Sequence, residues 1–257
     1  MVLQFTPHVV IVSPSVEHEN IASALANAGD VKGRNQYGDK WNEKLYPSEE
    51  KLRIWHPPYL DHKNLEIRVI PYQWADLQRM RQIQPVGSFN DSDPMKYVCN
   101  AIALTGNGLL ISDDNQFIFH RKKGGAKNGS IHTFGGYILR TDISEEGDIA
   151  NAILRELSEP TEIGLQQEEM TIERYFGTHE GMPSILWGFG TGAVYAAVRV
   201  HLSAHEIQQR FESIPREESL TKKLEIIAQS DLRSLENNPE IHPQTRNVIP
   251  TILVQYS

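Results

Sequence analysis

Two glycines, Gly135 and Gly136, are followed by Asp142 and then by Arg155-Glu156-Leu157-x-Glu159. An α-helix advances about 100° per residue, so Glu156 and Glu159 lie on one face, a turn apart, where two carboxylates can share one hard cation. Oxygen ligands of this kind suit Mg2+ or Mn2+. Arg155 and Glu159 are four apart and can pair, which would orient Glu159, while Leu157 points to the opposite, buried side. The glycine pair allows the backbone to pass close to a metal and a substrate. The matching chemistry is attack of water on a phosphate anhydride, where a divalent ion neutralises the charge developing on oxygen.

This segment closely resembles the Nudix box, whose family pattern is G-x5-E-x7-R-E-U-x-E-E-x-G-U, with U a bulky apolar residue. Gly136-x5-Asp142 keeps the first spacing, with Asp in place of Glu, and Arg155-Glu156-Leu157-x-Glu159 matches residue for residue. Twelve residues separate the two parts where the pattern has seven, an enlarged loop similar to that of a divergent Nudix subgroup. Pro160 stands where the second glutamate belongs, and a two-residue insertion displaces that glutamate to Glu162, ahead of Ile163-Gly164-Leu165.

The resemblance covers residues 97–253 and implies an α+β fold, a Nudix-type α/β/α sandwich around a mixed sheet. It implies that Glu156 and Glu159 hold Mg2+ or Mn2+, that Asp142 or Glu162 completes the site, and that Arg155 orients the glutamates. Arg121 or Lys122 would contact phosphate, and Gly135 and Gly136 would border the substrate. A glutamate from a later loop often assists in the family, and Glu180, Glu217 and Glu218 are placed for it. The expected activity is hydrolysis of the diphosphate linkage of a nucleoside diphosphate derivative. The competing expectation is a Nudix-fold module that binds a nucleotide-like ligand or a protein partner without cleaving. Its motive is Pro160, which lacks an N–H and disfavours a helical residue before it, together with Asp142.

Several charged or aromatic residues have plainer readings. Glu145 and Glu146 complement the helix dipole, and Asp148 is an N-cap candidate. Arg121, Lys122 and Lys123 form a solvated strand end as readily as a phosphate site. His132 and His179 could orient substrate, but no zinc-like spacing supports them. Tyr37, Trp41, Trp55 and Trp187 could stack a base, although packing is the commoner role of such rings. Gly188-Phe-Gly-Thr-Gly imitates a dinucleotide fingerprint but precedes a strand, so it is rejected.

Strands are expected at 7–12, 65–70, 97–104, 108–112, 117–121, 171–176 and 193–202, with a turn at Thr105-Gly-Asn-Gly108. Helices are expected at 17–28, 72–81, 149–159, 204–211 and 220–228, with a last one interrupted by Pro250. Residues 29–58 read as a long irregular connection, and a turn-rich boundary near 84–94 divides an N-terminal α/β extension, 1–94, from a Nudix-like domain, 95–257. With 25 Lys+Arg against 33 Asp+Glu, a net charge of -8 argues against nucleic acid polymers and anionic membranes. The lone Cys99 excludes an intrachain disulfide. The N-terminal residues lack a targeting pattern and no apolar run approaches a membrane span, so a soluble, cytoplasmic protein is expected. Oligomeric state is open, with a homodimer as the assembly to look for.

Overall fold

The structure, a computed structural model, describes residues 6–12, 51–54, 59–61, 64–72, 102–123, 129–158, 163–176, 184–186, 191–215 and 221–256. The expected helices at 17–28 and 72–81 lie outside these residues, as does Cys99, apart from Tyr72 at the end of a strand.

The strands are β1 (Thr6–Ile11), β2 (Lys51–Ile54), β3 (Tyr59–Asp61), β4 (Asn64–Tyr72), β5 (Ala103–Ile111), β6 (Gln116–Lys122), β7 (Ile131–His132), β8 (Phe134–Tyr137), β9 (Met170–Phe176), β10 (Ser184–Leu186), β11 (Thr191–Val200) and β12 (Thr221–Ala228). The helices are α1 (Ala150–Ser158), α2 (Ala204–Ser213), α3 (Pro243–Arg246) and α4 (Ile249–Tyr256). All the described strands join one mixed sheet, with β1-β4-β2-β5-β11-β10 as its main path. β5 is the axis. β11 runs parallel to it along one edge, while β2, β8 and β6 share the other edge in turn.

Two apolar layers cover the sheet. On one face Ala152, Ile153 and Leu157 of α1 and Ile207 of α2 pack with Leu104, Leu110, Phe134 and Val198. On the other, Leu232, Leu235, Ile249 and Ile252 pack with Leu109, Ile111, Phe117 and Tyr195. The expected α+β architecture, a mixed sheet between helical layers, is the one found. No helix among the described residues is long and apolar enough to cross a membrane.

The turn expected at 105–108 is replaced by an unbroken strand. A Cβ on Gly106 would lie 2.8 Å from Cγ1 of Ile153, and one on Gly108 would lie 2.8 Å from Cδ1 of Leu157. These glycines are the flat floor on which α1 rests, a close approach that only a missing side chain permits. The chain reverses instead at residues 113–115, with Asn115 at φ 59.

The helix expected over 220–228 is the strand β12. Leu220, Leu224 and Ala228 fit a helical period, but Thr221, Ile226 and Ile227 are β-branched, and the open edge of β6 takes the segment in antiparallel register. Within the supposed irregular stretch 29–58, residues 51–54 form β2. At the C-terminus there are two helices, α3 and α4, and Pro250 sits in the first turn of α4, where no N–H is needed.

Candidate active site

The two glycines of β8 are required for different reasons. Gly135 has φ 148, and a Cβ there would meet the carbonyl oxygen of Gly106 at 2.1 Å. At Gly136 a Cβ would lie 2.0 Å from Oε2 of Glu156. The Glu156 carboxylate therefore occupies the space that any side chain at 136 would fill.

Arg155 fixes the other end of that carboxylate. Its Nη2 lies 2.8 Å from Oε1 of Glu156 and donates to the Tyr137 carbonyl at 3.1 Å. The same guanidinium grips Asp142 in a fork, Nε to Oδ1 at 2.9 Å and Nη2 to Oδ2 at 3.0 Å. Such paired bonds fix direction as well as distance. Burial works against the Arg155 charge, yet the bonds to Asp142 and the charges of Glu156 and Asp142 outweigh it and hold the guanidinium pKa above its ordinary value.

Asp142 ends a single 3-10 turn, Arg140–Asp142, and is 8% exposed. Its Oδ2 also accepts the Leu139 N–H at 2.8 Å. Both oxygens are thus engaged by Arg155 and the backbone. Arg155 was expected to steer the glutamates; among the described residues its carboxylate partners are Asp142 and Glu156, and Glu159 lies outside them together with Pro160 and Glu162.

The enlarged spacer is a closed turn. The Gly147 N–H donates to Ser144 O at 2.9 Å, and the Val9 N–H of β1 donates to Gly147 O at 2.9 Å. Gly147 has φ 80 with His8 and Val9 pressed against it. Asp148, two residues before the first helical residue, accepts the Ala150 N–H at 2.9 Å, and its Oδ1 also accepts from Tyr175 at 3.1 Å. Glu145 and Glu146 are exposed.

Arg121, one candidate for phosphate, is held elsewhere. It pairs with Glu225 of the neighbouring β12, with Glu240 at 2.6 Å, and donates to Gly129 O at 2.9 Å. Its described partners belong to neither Asp142 nor Glu156. Lys122 stands beside it, opposite Thr221 in the β6–β12 ladder. His132 is buried and its ring lies 4.0 Å from that of His242 and 6.2 Å from that of His120. Nothing in the sequence spacing announces this histidine cluster. No group of three or more His, Cys, Asp or Glu arranged to hold a metal occurs among the described residues. Glu180, Glu217, Glu218, His179, Tyr37, Trp41, Trp55 and Trp187 lie outside the described residues, as do Gly188 and Gly190. Tyr137 carries the carbonyl that Arg155 uses, and only its place after the glycine pair marks it in the sequence.

No family model matches the chain. No curated protein matches it either. Solved structures do resemble it. A Nudix hydrolase from M. Smegmatis, RenU, is 11% identical with a TM-score of 0.39, over 60% of this chain and 83% of that one. The MutT protein from Methanosarcina mazei Go1 is 9% identical at a TM-score of 0.41, over 60% of this chain and 94% of that one. A bifunctional NMN adenylyltransferase/ADP ribose pyrophosphatase from Francisella tularensis, complexed with AMP and a Mn ion, is 15% identical at 0.40, over 70% of this chain and 46% of its own length. A Nudix hydrolase, a MutT protein and an ADP ribose pyrophosphatase are thus among the solved structures to which the chain is similar.

Proposed function

We propose that the chain is a Nudix-superfamily pyrophosphohydrolase that cleaves the diphosphate linkage of a nucleoside diphosphate derivative with Mg2+ or Mn2+. One observation carries the reading. Glu156 is seated on the bare backbone of Gly136 and locked by Arg155, which Asp142 locks in turn. Such a chain of contacts presents a carboxylate at a fixed place and angle, which is what holding an ion against a substrate demands.

The donor chemistry fits a hard divalent ion. Glu156, with Glu159 and Glu162, would hold it; Asp142, already bound to Arg155, is assigned to positioning. An ion bound there supplies neutralising charge to the diphosphate and activates the attacking water. The space over Gly135 and Gly136 is taken by β5 and by the Glu156 carboxylate, so the part of the glycine pair is to let Glu156 sit against the strand. Arg121 is tied to Glu225 and Glu240, and Lys122 is the second basic candidate for phosphate. The excess of acidic residues supports a small-molecule substrate rather than nucleic acid or membrane as partner.

The test is a screen of nucleoside diphosphate derivatives, dinucleotides and nucleotide sugars with Mg2+ and with Mn2+, reading released monophosphate or phosphate. Glu159→Gln and Glu156→Gln are expected to abolish metal-dependent turnover while the fold persists. Turnover retained in both variants would sink the assignment. The second reading, a module that binds a nucleotide-like ligand or a protein without cleaving, is motivated by Pro160. Calorimetry with Mn2+ separates the two, since the non-cleaving module shows no millimolar or better affinity at this helix.

A further inference from the structure

β2 contributes two cations, Lys51 and Arg53, each 3% exposed. Side chains alternate along a strand, so these two share one face. Leu52 and Ile54 occupy the other face, in the apolar layer beneath α1. Lys51 and Arg53 therefore lie on the side of the sheet turned away from the catalytic helix. Tyr137 is on that side too, because Gly136, its neighbour, faces Glu156 of α1. Nζ of Lys51 stands 5.7 Å from the centroid of the Tyr137 ring. That is within cation–π range, and such contacts are strongest where water is excluded.

β2 also holds the main chain just past Tyr137. The Leu52 N–H donates to Ile138 O at 3.1 Å, and Lys51 and Leu139 form an antiparallel bridge. This short segment makes contacts on which the site depends: the Tyr137 carbonyl accepts from Arg155, and the Leu139 N–H donates to Asp142. We propose that Lys51 is a positioning residue for the Glu156 site. Backbone pairing sets the register of the segment; the ammonium on the ring limits rotation of the Tyr137 peptide and keeps its carbonyl toward Arg155. The proposal rests on the reading of Glu156 as a metal-holding carboxylate. It gives a strand from the first 94 residues a part in the chemistry of the remainder.

The experiment compares Lys51→Met, Lys51→Arg and Tyr137→Leu in the full chain by two readouts. One is hydrogen exchange of residues 137–142, which reports local opening; the other is titration with Mn2+ followed by calorimetry. Lys51→Met and Tyr137→Leu are expected to speed exchange in that segment about tenfold and to weaken Mn2+ about fivefold. Lys51→Arg, which keeps a cation over the ring, is expected to restore both. Wild-type exchange in Lys51→Met, or an increase spread evenly over the chain, would overturn the proposal. Should Lys51→Met fail to fold, unchanged exchange in Tyr137→Leu would overturn it equally. Wild-type protein that takes up no Mn2+ would overturn the reading of Glu156 instead, so the two failures are told apart.

Discussion

A Cβ on Gly136 would stand 2.0 Å from Oε2 of Glu156, closer than any real contact. Gly136→Ala therefore has to push the carboxylate off the strand. The expected result is a loss of Mn2+ affinity of at least about tenfold, the size of effect that disturbed metal-site support produces. Circular dichroism is expected to stay that of the wild type. Calorimetry on the variant checks this, and unchanged affinity would mean that Glu156 is not held where the metal binds.

Asp142 and Arg155 form a fork in which the acid is nearly buried and the guanidinium side chain is 30% exposed. Asp142→Asn removes the charge and leaves Arg155 with weaker partners. A loss of about 1–3 kcal/mol in urea unfolding is expected. Glu at 142 is one methylene longer and keeps the charge, so Asp142→Glu is expected to recover Mn2+ binding that Asp142→Asn loses. A direct metal ligand would tolerate the change of length poorly, and that outcome would reassign Asp142.

Gly108 lies beneath Leu157, with a would-be Cβ at 2.8 Å from Cδ1. Gly108→Ala is expected to cost about 1–3 kcal/mol by overpacking, and Leu157→Ala about 2–5 kcal/mol by leaving a cavity. The double variant is expected to be more stable than the sum of the two predicts, because one methyl fills part of the space the other vacates. Strict additivity in denaturant melts would contradict the close contact.

The Glu169 carboxyl is held below its ordinary value of 4.5, chiefly by its bonds to Arg210, which pin the 3-10 turn Gln167–Glu169 to α2. A depressed folded value means that the unfolded chain takes up the proton first as pH drops. The contribution is complete above the unfolded value and is lost as pH falls through the folded one. Melting temperatures of wild type and Arg210→Met are expected to differ at pH 6 and to converge below about pH 4. A gap that stays constant down to pH 3 would assign the effect to packing.

Much of the site could be read from residue order because it is local. Glu156 follows Arg155 in one helix, and the x5 spacing brings Asp142 back to that helix through a single turn. The glycine pair was legible for a related reason: its strand passes directly under the helix. The histidines at 120, 132 and 242 and the Lys51–Tyr137 contact were not, since each joins segments remote in sequence. Gly106 and Gly108 misled for a further reason. Glycine serves a turn and a crowded strand equally well, and only the arrival of Ile153 and Leu157 decides between them.

Residue order alone thus determined the amphipathic helix, its carboxylates, the departures at Asp142 and Pro160 and the resemblance to the Nudix box, all of them matters of spacing over a few turns. The tertiary structure decided which partner each charge takes. It gave Asp142 to Arg155 and Arg121 to Glu225 and Glu240, and it made β12 a strand by offering it the edge of β6. It also brought β2 against the loop that anchors Arg155. The physical reason is that ion pairs, sheet edges and contacts with a bare glycine backbone depend on distances through space, which local spacing does not encode.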